Sequence, residues 1–188
     1  MLLSTKSGLA IRFKESDVRP MGRTARGVRG VKLVADNEAV GMAIVAANPV
    51  QDDSVVTYGE DATLFTVCEY GYGKRTKLSE YRAQGRGGKG VIDIQTTERN
   101  GQDVGICSVS DDSGIMIITS SGKIIRFNAR DISVIGRNTK GVRIINLDEG
   151  ETVLAVARLQ DADSEDDAET ENTESAEVAA DDKGSTKE

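Results

Sequence analysis

The chain has 188 residues, of which 38% are apolar, and its formal net charge is −7. This length suits one or two globular domains, and no apolar run approaches the ~18 residues that a membrane-spanning helix needs, so no membrane partner is expected. Histidine is absent and the only two cysteines are Cys68 and Cys107, which excludes a zinc cluster and a histidine-based catalytic triad.

The two signs of charge are separated along the chain. Residues 161–188 carry 12 acidic residues and 2 lysines, whereas residues 1–160 carry 22 basic and 19 acidic residues. The tail has no aromatic residue and too few apolar ones to form a core, so residues 161–188 are predicted to be disordered. The tail is either a solubilising segment or an electrostatic competitor for whatever the basic body, residues 1–160, binds.

The body is predicted to be all-β. Short runs rich in Val, Ile, Leu and Thr alternate with glycine and acidic turn signals, which is typical of strands joined by tight turns. The predicted strands include residues 64–67, 115–119, 142–145 and 153–157, and turns at 111–114 and 120–122 flank the second of these. Residues 40–47 fit either a helical turn or a buried strand.

An internal repeat organises the body. Aligning Gly8, Gly73 and Gly122 gives three basic strands, each with a cation four residues after the glycine and a large apolar residue next to it. Because side chains alternate along a strand, the cation and the apolar residue point to opposite faces.

A second glycine motif begins 12 or 14 residues after each of these aligned glycines. It reads Gly-Arg-x-x-(Arg/Lys)-Gly-Val and starts at Gly22, Gly85 and Gly136, so its copies are 63 and 51 residues apart. We call these copies motif 1 (22–28), motif 2 (85–91) and motif 3 (136–142). The period favours propeller-type blades of about four strands, with repeat cores at about residues 1–33, 64–94 and 115–147.

The positive charge follows the repeat. Residues 8–33, 73–94 and 122–147 together contain 19 basic and 5 acidic residues, while the rest of the body contains 3 basic and 14 acidic residues. Cations in register on a radial repeat would line one rim, which is the electrostatic signature of a protein that binds a nucleic-acid backbone. Residues 85–90 lack the Gly-Lys-(Ser/Thr) ending of a phosphate loop, and no nucleophile and base are paired, so no catalytic residue is predicted.

The repeats resemble the DNA gyrase A C-terminal domain over about residues 1–158. Residues 84–90, Gln-Gly-Arg-Gly-Gly-Lys-Gly, closely resemble the family's "gyrase box", Gln-Arg-Arg-Gly-Gly-Lys-Gly, and segments 70–76 and 135–142 resemble later parts of that domain. Gly85 stands where the box has arginine, so the special role of the box is not carried over to this copy. The resemblance implies three blades of a six-bladed β-pinwheel, a fragment with exposed edge strands at its N-terminal side.

The resemblance also implies a function. The chain would be the DNA-binding and DNA-bending C-terminal part of a DNA gyrase A protein, supporting ATP-dependent negative supercoiling by a type II topoisomerase. Its partners would be duplex DNA, bound without sequence preference, and the rest of the gyrase A protein together with gyrase B in a heterotetramer. The chain itself would hold no cofactor or metal, since ATP and Mg²⁺ are used by other domains, and it would be cytoplasmic and chromosome-associated.

The candidate DNA contacts are the cations of the repeated segments. They are Arg12, Arg23, Arg26, Lys74, Lys77, Arg86, Lys89, Lys123, Arg126, Arg137 and Lys140. Two alternatives stay open at this point: the C-terminal domain of the A-type protein of topoisomerase IV, and a protein-interaction propeller without a DNA role.

Overall fold

The computed structural model describes residues 1–34, 36–48, 51–52, 55–56 and 58–159. The predicted disordered tail, residues 161–188, lies outside the described residues. Within them the chain is all-β, as predicted, and its helical residues form three short 3-10 turns at Glu15–Asp17, Leu78–Glu80 and Ala129–Asp131. No helix in the described part of the chain is long and apolar enough to span a membrane.

The strands in chain order are β1 (Leu2–Thr5), β2 (Leu9–Arg12), β3 (Ala39–Ala43), β4 (Gln51–Asp52), β5 (Val55–Val56), β6 (Thr63–Cys68), β7 (Tyr72–Lys77), β8 (Val91–Ile92), β9 (Asp103–Val109), β10 (Gly114–Thr119), β11 (Ile124–Asn128), β12 (Val142–Arg143) and β13 (Val153–Arg158). These strands form three antiparallel blades. Blade 1 has the order β3-β1-β2-β8, blade 2 has β12-β7-β6-β9, and blade 3 has β11-β10-β13. The short pair β4-β5 forms a separate hairpin.

Each complete blade takes its outer strand from the following repeat. Strand β8, which continues motif 2, pairs with β2 of blade 1, and β12, which continues motif 3, pairs with β7 of blade 2. Among the described residues β11 has no such partner, so blade 3 has three strands. The predicted exposed edge therefore lies in the C-terminal blade, not at the N-terminal side, because each blade is completed by a strand from the repeat after it.

The blades pack face to face on two apolar clusters. Leu2 and Ala10 of blade 1 pack with Leu64, Leu78 and Ile106 of blade 2. On the other side of blade 2, a second cluster joins it to blade 3 and includes Phe65, Val67, Ile115, Ile117 and Val153. Strand β9 contacts both β3 and β13, so these three strands form the inner side of the array and β8 and β12 lie at the outer side.

Most predicted strands are confirmed. Residues 64–67, 115–119 and 153–157 lie within β6, β10 and β13, and residues 40–47 begin in strand β3. The predicted strand at 142–145 is too long, since only Val142–Arg143 are strand. It is short because the N–H groups of Ile144 and Ile145 both turn to the carbonyl of Gly71, which ends the ladder.

Candidate nucleic-acid interface

Three turn glycines fix the alignment of the repeats. Gly8, Gly71 and Gly122 have φ values of +75°, +75° and +82°, in the left-handed region that glycine tolerates best. Each donates its N–H to the carbonyl three residues earlier, at 2.8, 3.1 and 3.0 Å respectively. The alignment on Gly73 is therefore wrong by two residues, because Gly71 is the residue that makes the turn.

The corrected alignment changes which cations are equivalent. Every cation motif now begins 14 residues after its turn glycine. The cation four residues after the turn glycine is Arg12 in blade 1, Arg75 in blade 2 and Arg126 in blade 3, so Lys77 is not part of this set.

Arg12 and Arg75 tie neighbouring blades together. Arg12 forms an ion pair with Glu60 and donates to the carbonyls of Leu78 and Tyr81 at 3.2 and 3.1 Å. Arg75 forms the equivalent ion pair with Asp111 at 2.6 Å. The Arg12 side chain is 15% exposed and that of Arg75 is 5% exposed. Arg12, a predicted DNA contact, is thus committed to the junction between blades 1 and 2.

Lys74 is wrongly predicted as a DNA contact, because its ammonium group is fully buried. Its Nζ donates to the carbonyls of Asp93, Gly136 and Arg137, the last two at 2.9 and 2.6 Å. A lysine ammonium has three donors, and these carbonyls use all of them. Burial lowers the pKa of Lys74 to about 8, while the nearby Asp93 carboxylate opposes that shift.

The Asp93 carboxylate completes this buried network. It accepts hydrogen bonds from the hydroxyls of Tyr81 and Thr66, and its Oδ1 lies 4.0 Å from Lys74 Nζ. Burial raises the pKa of Asp93, and Lys74, Tyr81 and Thr66 oppose that shift by interacting with the charged form. The network joins β6 and β7 to motif 3, so its role is to position the motif.

Backbone hydrogen bonds join the three motifs into one continuous surface, the motif row (residues 22–33, 85–95 and 136–143). Gly87 donates to the carbonyl of Gly30 at 2.6 Å, and Lys32 donates to the carbonyl of Gly88 at 2.8 Å. The next step along the row is the bond from Gln95 to the carbonyl of Thr139, also at 2.8 Å. The row continues into the outer strands β8 and β12, which places it at the outer side of the blades.

The arginine at the second position of a motif fastens it to the motif before. Arg86 donates to the carbonyl of Arg29 at 3.1 Å, and Arg137 donates to that of Ile92 at 2.9 Å. Arg29 and Ile92 are equivalent, because each lies seven residues after the first glycine of its motif. Arg137 also packs its guanidinium over the Tyr81 ring, 5.9 Å from the centroid. The guanidinium groups of Arg86 and Arg137, two predicted DNA contacts, therefore already make hydrogen bonds within the protein.

The cations at the fifth position are arranged differently. Arg26, Lys89 and Lys140 are exposed. Within the described residues, none of their side chains, nor that of exposed Arg23, makes a hydrogen bond or ion pair. Lys77 is also exposed, and its side chain makes no hydrogen bond or ion pair within the described residues. These side chains are the ones that can accept a phosphate without breaking a contact in the described part of the protein.

The two remaining candidates lie on blade 3. Lys123 is half-exposed and bridges Asp148 and Glu151, with its Nζ 3.2 Å from the Glu151 carboxylate. Hydrogen bonds to these two carboxylates raise the pKa of Lys123. Arg126 is exposed on β11, and it already interacts with another group of the protein.

The family model for the DNA gyrase C-terminal domain, a β-propeller, matches residues 1–46, 70–102 and 115–160, about two thirds of the chain. The chain belongs to the DNA gyrase C-terminal domain family. The DNA gyrase A protein of Haloquadratum walsbyi is similar to it, with 42% identity over 170 residues that make up 90% of this chain and 19% of that protein. The chain thus spans about a fifth of the length of this gyrase relative.

Two solved structures share the blade architecture. The structure of a DNA gyrase A C-terminal domain superposes with a TM-score of 0.67 and 25% identity, covering 84% of this chain and 49% of that one. The crystal structure of the C-terminal domain of DNA topoisomerase IV gives a TM-score of 0.71 at 23% identity, covering 85% of this chain and 46% of that one. The predicted pinwheel family and fold are therefore confirmed.

Sequence reasoning missed the inter-blade role of Arg75 and the buried network around Asp93. A signal for the first was present, since a constant 14-residue spacing to the motif selects Gly71 over Gly73 and brings Arg75 into line with Arg12. No comparable signal marks Asp93, whose partners Thr66 and Tyr81 lie 27 and 12 residues away.

Proposed function

We propose that this chain binds duplex DNA along the motif row and bends it as the C-terminal part of a DNA gyrase A protein. The observation that carries the proposal is the alternation of roles along the row. Second-position arginines hold consecutive motifs together, while the fifth-position cations Arg26, Lys89 and Lys140 are exposed without side-chain partners among the described residues. A row that presents one free cation in each motif can neutralise phosphates at successive points along a nucleic-acid backbone.

Bending explains why the cations are distributed over three motifs. Bending 20–30 base pairs costs on the order of 1–6 kcal/mol, which contacts at one point cannot hold. A row at the outer side of successive blades offers phosphate contacts at successive points of a curved path. The carbonyl-lined position of Lys74 keeps motif 3 in place, so the row keeps its shape while the DNA is bent.

Family membership supports the proposed partner proteins and the proposed role in supercoiling. The chain works with the rest of the gyrase A protein and with gyrase B in a heterotetramer that introduces negative supercoils. ATP and Mg²⁺ act in other domains, so this chain contributes DNA geometry without chemistry. The complex is cytoplasmic and associated with the chromosome.

The test is a DNA-binding titration at several salt concentrations. The expected result is sequence-independent binding whose logarithmic affinity falls linearly with the logarithm of salt concentration, with a slope of about −0.9 for each phosphate neutralised. Replacing Arg26, Lys89 and Lys140 together by glutamine should reduce the magnitude of the slope by about three such contacts. Binding that is independent of salt, or absent in a gel shift, would refute the proposal and favour a protein-interaction propeller.

Lys123→Gln is the matched control in this titration. Lys123 is also a cation of the repeated segments, but it is held by Asp148 and Glu151. Its replacement should leave the salt slope nearly unchanged. A change as large as that of a single fifth-position variant would contradict the assignment of the free cations.

Negative supercoiling by a reconstituted enzyme separates gyrase from topoisomerase IV, because the 23% identity with the topoisomerase IV domain bears on fold alone.

A further inference from the structure

A cleft of about 560 Å³ opens beside blade 2, next to the loop that leads from β12 to β13. Tyr72 and Arg143, the paired ends of β7 and β12, line it together with Arg99 from the loop between β8 and β9. The β12–β13 loop contributes Asp148 and Glu151 to the lining. The volume lies in the range of about 300–1,000 Å³ that is typical of small-ligand sites, so the cleft can hold a phosphate group and part of the molecule that carries it.

Two guanidinium groups share the ring of Tyr72 in this cleft. Those of Arg99 and Arg143 lie 4.8 and 5.1 Å from the ring centroid, and Arg143 donates to the Tyr72 hydroxyl at 2.7 Å. Tyr72 is 4% exposed, whereas both arginines are exposed. Hydrogen bonds from the two arginines lower the pKa of Tyr72. A buried tyrosine thus holds two exposed cations at one place.

The positive charge of these two arginines is not balanced within the described part of the protein. Neither Arg99 nor Arg143 forms an ion pair there. A guanidinium has five N–H donors, and most of those in this pair have no acceptor among the described residues. The two carboxylates of the cleft are engaged elsewhere, because Lys123 bridges Asp148 and Glu151. An anion that enters the cleft would therefore meet unused donors and unbalanced positive charge.

The equivalent position at the other filled junction shows that the fold does not require these cations. Arg143 of β12 pairs with Tyr72 of β7. In the same register, Ile92 of β8 pairs with Leu9 of β2, where blade 1 is joined to motif 2. An apolar pair therefore joins a motif to a blade as well as a tyrosine and an arginine do. The polar pair is a property of one junction, which favours a binding role over a purely structural one.

The arginine pair adjoins motif 3 of the motif row. The loop that carries Arg99 is bound to this motif, since Asn100 Nδ2 donates to the carbonyl of Lys140 at 3.1 Å. Lys140 is the exposed fifth-position cation of the motif, and Arg143 follows it by three residues on the outer strand β12. A phosphate in the cleft would thus lie next to a cation that the row already presents.

We propose that Arg99 and Arg143, positioned by Tyr72, bind one phosphate group in this cleft. The planar guanidinium fork donates two parallel hydrogen bonds to phosphate oxygens, and two forks at one place bind a single phosphate from two directions. The phosphate belongs to a DNA backbone that continues from Lys140 or to a free nucleotide, and both offer the same oxygens. The DNA source rests on the proposed function, whereas the nucleotide source is independent of it. The contact between the Arg99 loop and Lys140 favours the DNA backbone.

The first test follows the guanidinium N–H signals of the full 188-residue chain by NMR. The chain is titrated separately with inorganic phosphate, with ATP and with a DNA duplex of about 20–30 base pairs. The signals of Arg99 and Arg143 should shift together and saturate first with the duplex, while that of Arg130, which is 63% exposed outside the cleft, should stay. Saturation by ATP or phosphate without a response to the duplex supports the site and assigns it to a free nucleotide. No shift with any probe, or an equal shift of Arg130, would overturn the proposal.

A double-mutant cycle tests whether the two arginines share one phosphate. Arg99→Gln and Arg143→Gln should each weaken binding of the tightest of the three probes by about tenfold, because each removes charged hydrogen bonds. The double variant should lose less than the product of the two effects, since both side chains act on the same group. Arg130→Gln removes the same charge outside the cleft and should bind like the parent. Single variants that bind like the parent, or effects that simply multiply, would overturn the proposal.

A junction swap tests the positioning role of Tyr72. The variant with both Tyr72→Leu and Arg143→Ile copies the Leu9–Ile92 pair of the other junction, so its melting temperature should stay close to that of the parent. The shift of the remaining Arg99 signal should be lost, and an unchanged shift would overturn the positioning role.

The outcomes separate this site from the proposed DNA function. Duplex binding that depends on Arg26, Lys89 and Lys140 but not on Arg99 or Arg143 would overturn the cleft site and leave the proposed function standing. Shifts of the two arginines by ATP or phosphate in a chain that does not bind the duplex would support the site and refute the proposed function.

Discussion

Lys74 Nζ lies 2.9 Å from the carbonyl oxygen of Gly136, so a buried ammonium in blade 2 holds the first residue of motif 3. The same group also reaches Arg137 and Asp93. A lysine that counts toward the positive charge of the repeat is thus buried, and it supports the motif row from inside.

Replacing Lys74 by methionine should destabilise the chain strongly. The change removes three hydrogen bonds and leaves the Asp93 carboxylate buried without its cation, and breaking a buried ion pair typically costs about 3–5 kcal/mol of unfolding free energy. Chemical denaturation checks the prediction. Lys77→Met is the control, because Lys77 is exposed and has no side-chain partner among the described residues. Equal stability losses in the two variants would contradict the structural role of Lys74.

Replacing Gly141 by alanine should weaken the junction between blades 2 and 3. Gly141 has a φ of +75°, and a Cβ there would lie 2.8 Å from the carbonyl oxygen of Gly73. A left-handed backbone costs a residue with a Cβ roughly 1–2 kcal/mol, and the close contact adds to that cost. Thermal unfolding measures the sum.

Substitutions of two other glycines separate the cost of the left-handed backbone from the cost of the close contact. Gly150 has a φ of +78° with open space around it among the described residues, so Gly150→Ala should show the backbone cost alone. Gly85 has no described neighbour within 4 Å and no positive φ, so Gly85→Ala should be nearly neutral. If Gly141→Ala is no more destabilising than Gly150→Ala, the contact with Gly73 is not tight.

Acid should remove a stabilising contribution of Glu151. Hydrogen bonds from the Ser121 and Thr119 hydroxyls, from the Asp148 N–H and from Lys123 hold the pKa of Glu151 at about 2, below its ordinary value of 4.5. Because the folded state binds the proton less readily than the unfolded state, the contribution is complete above pH 4.5 and is lost as the pH falls toward about 2. The melting temperatures of the parent chain and of Glu151→Gln should differ at neutral pH and converge in acid. A difference that does not change with pH would contradict the prediction.

Deleting residues 161–188 should strengthen DNA binding at low salt. The segment carries 12 acidic residues against 2 lysines, so it would compete with phosphates for the same cations. Added salt should shrink the effect, because screening weakens charge interactions between exposed groups. A chain with the same tail residues in scrambled order is the control and should bind like the parent. Equal affinity with and without the tail at low salt would leave the tail a solubilising role only.

The sequence by itself was sufficient for the strands, the turns and the family. Alternating apolar residues and turn glycines act over a few neighbouring residues, so the strands at 64–67, 115–119 and 153–157 were predictable from their own segments. The three copies of the cation motif were equally visible, and they were enough to recognise the repeat. The sequence also determines the turn glycine of the second repeat, because Gly71 and not Gly73 gives the constant spacing of 14 residues to the motif.

Tertiary structure alone decided which cations are exposed and which are buried. Lys74 and Lys77 are three residues apart on the same strand, yet one is fully buried and the other is exposed. The difference arises because the carbonyls of Gly136 and Arg137, more than 60 residues away, surround Lys74. The exchange of β8 and β12 between blades has the same origin, since a strand that pairs with residues about 70 to 80 positions away leaves no trace in its own short segment. Local sequence thus determines the elements, whereas the burial of a charge depends on which distant backbone groups the fold brings to it.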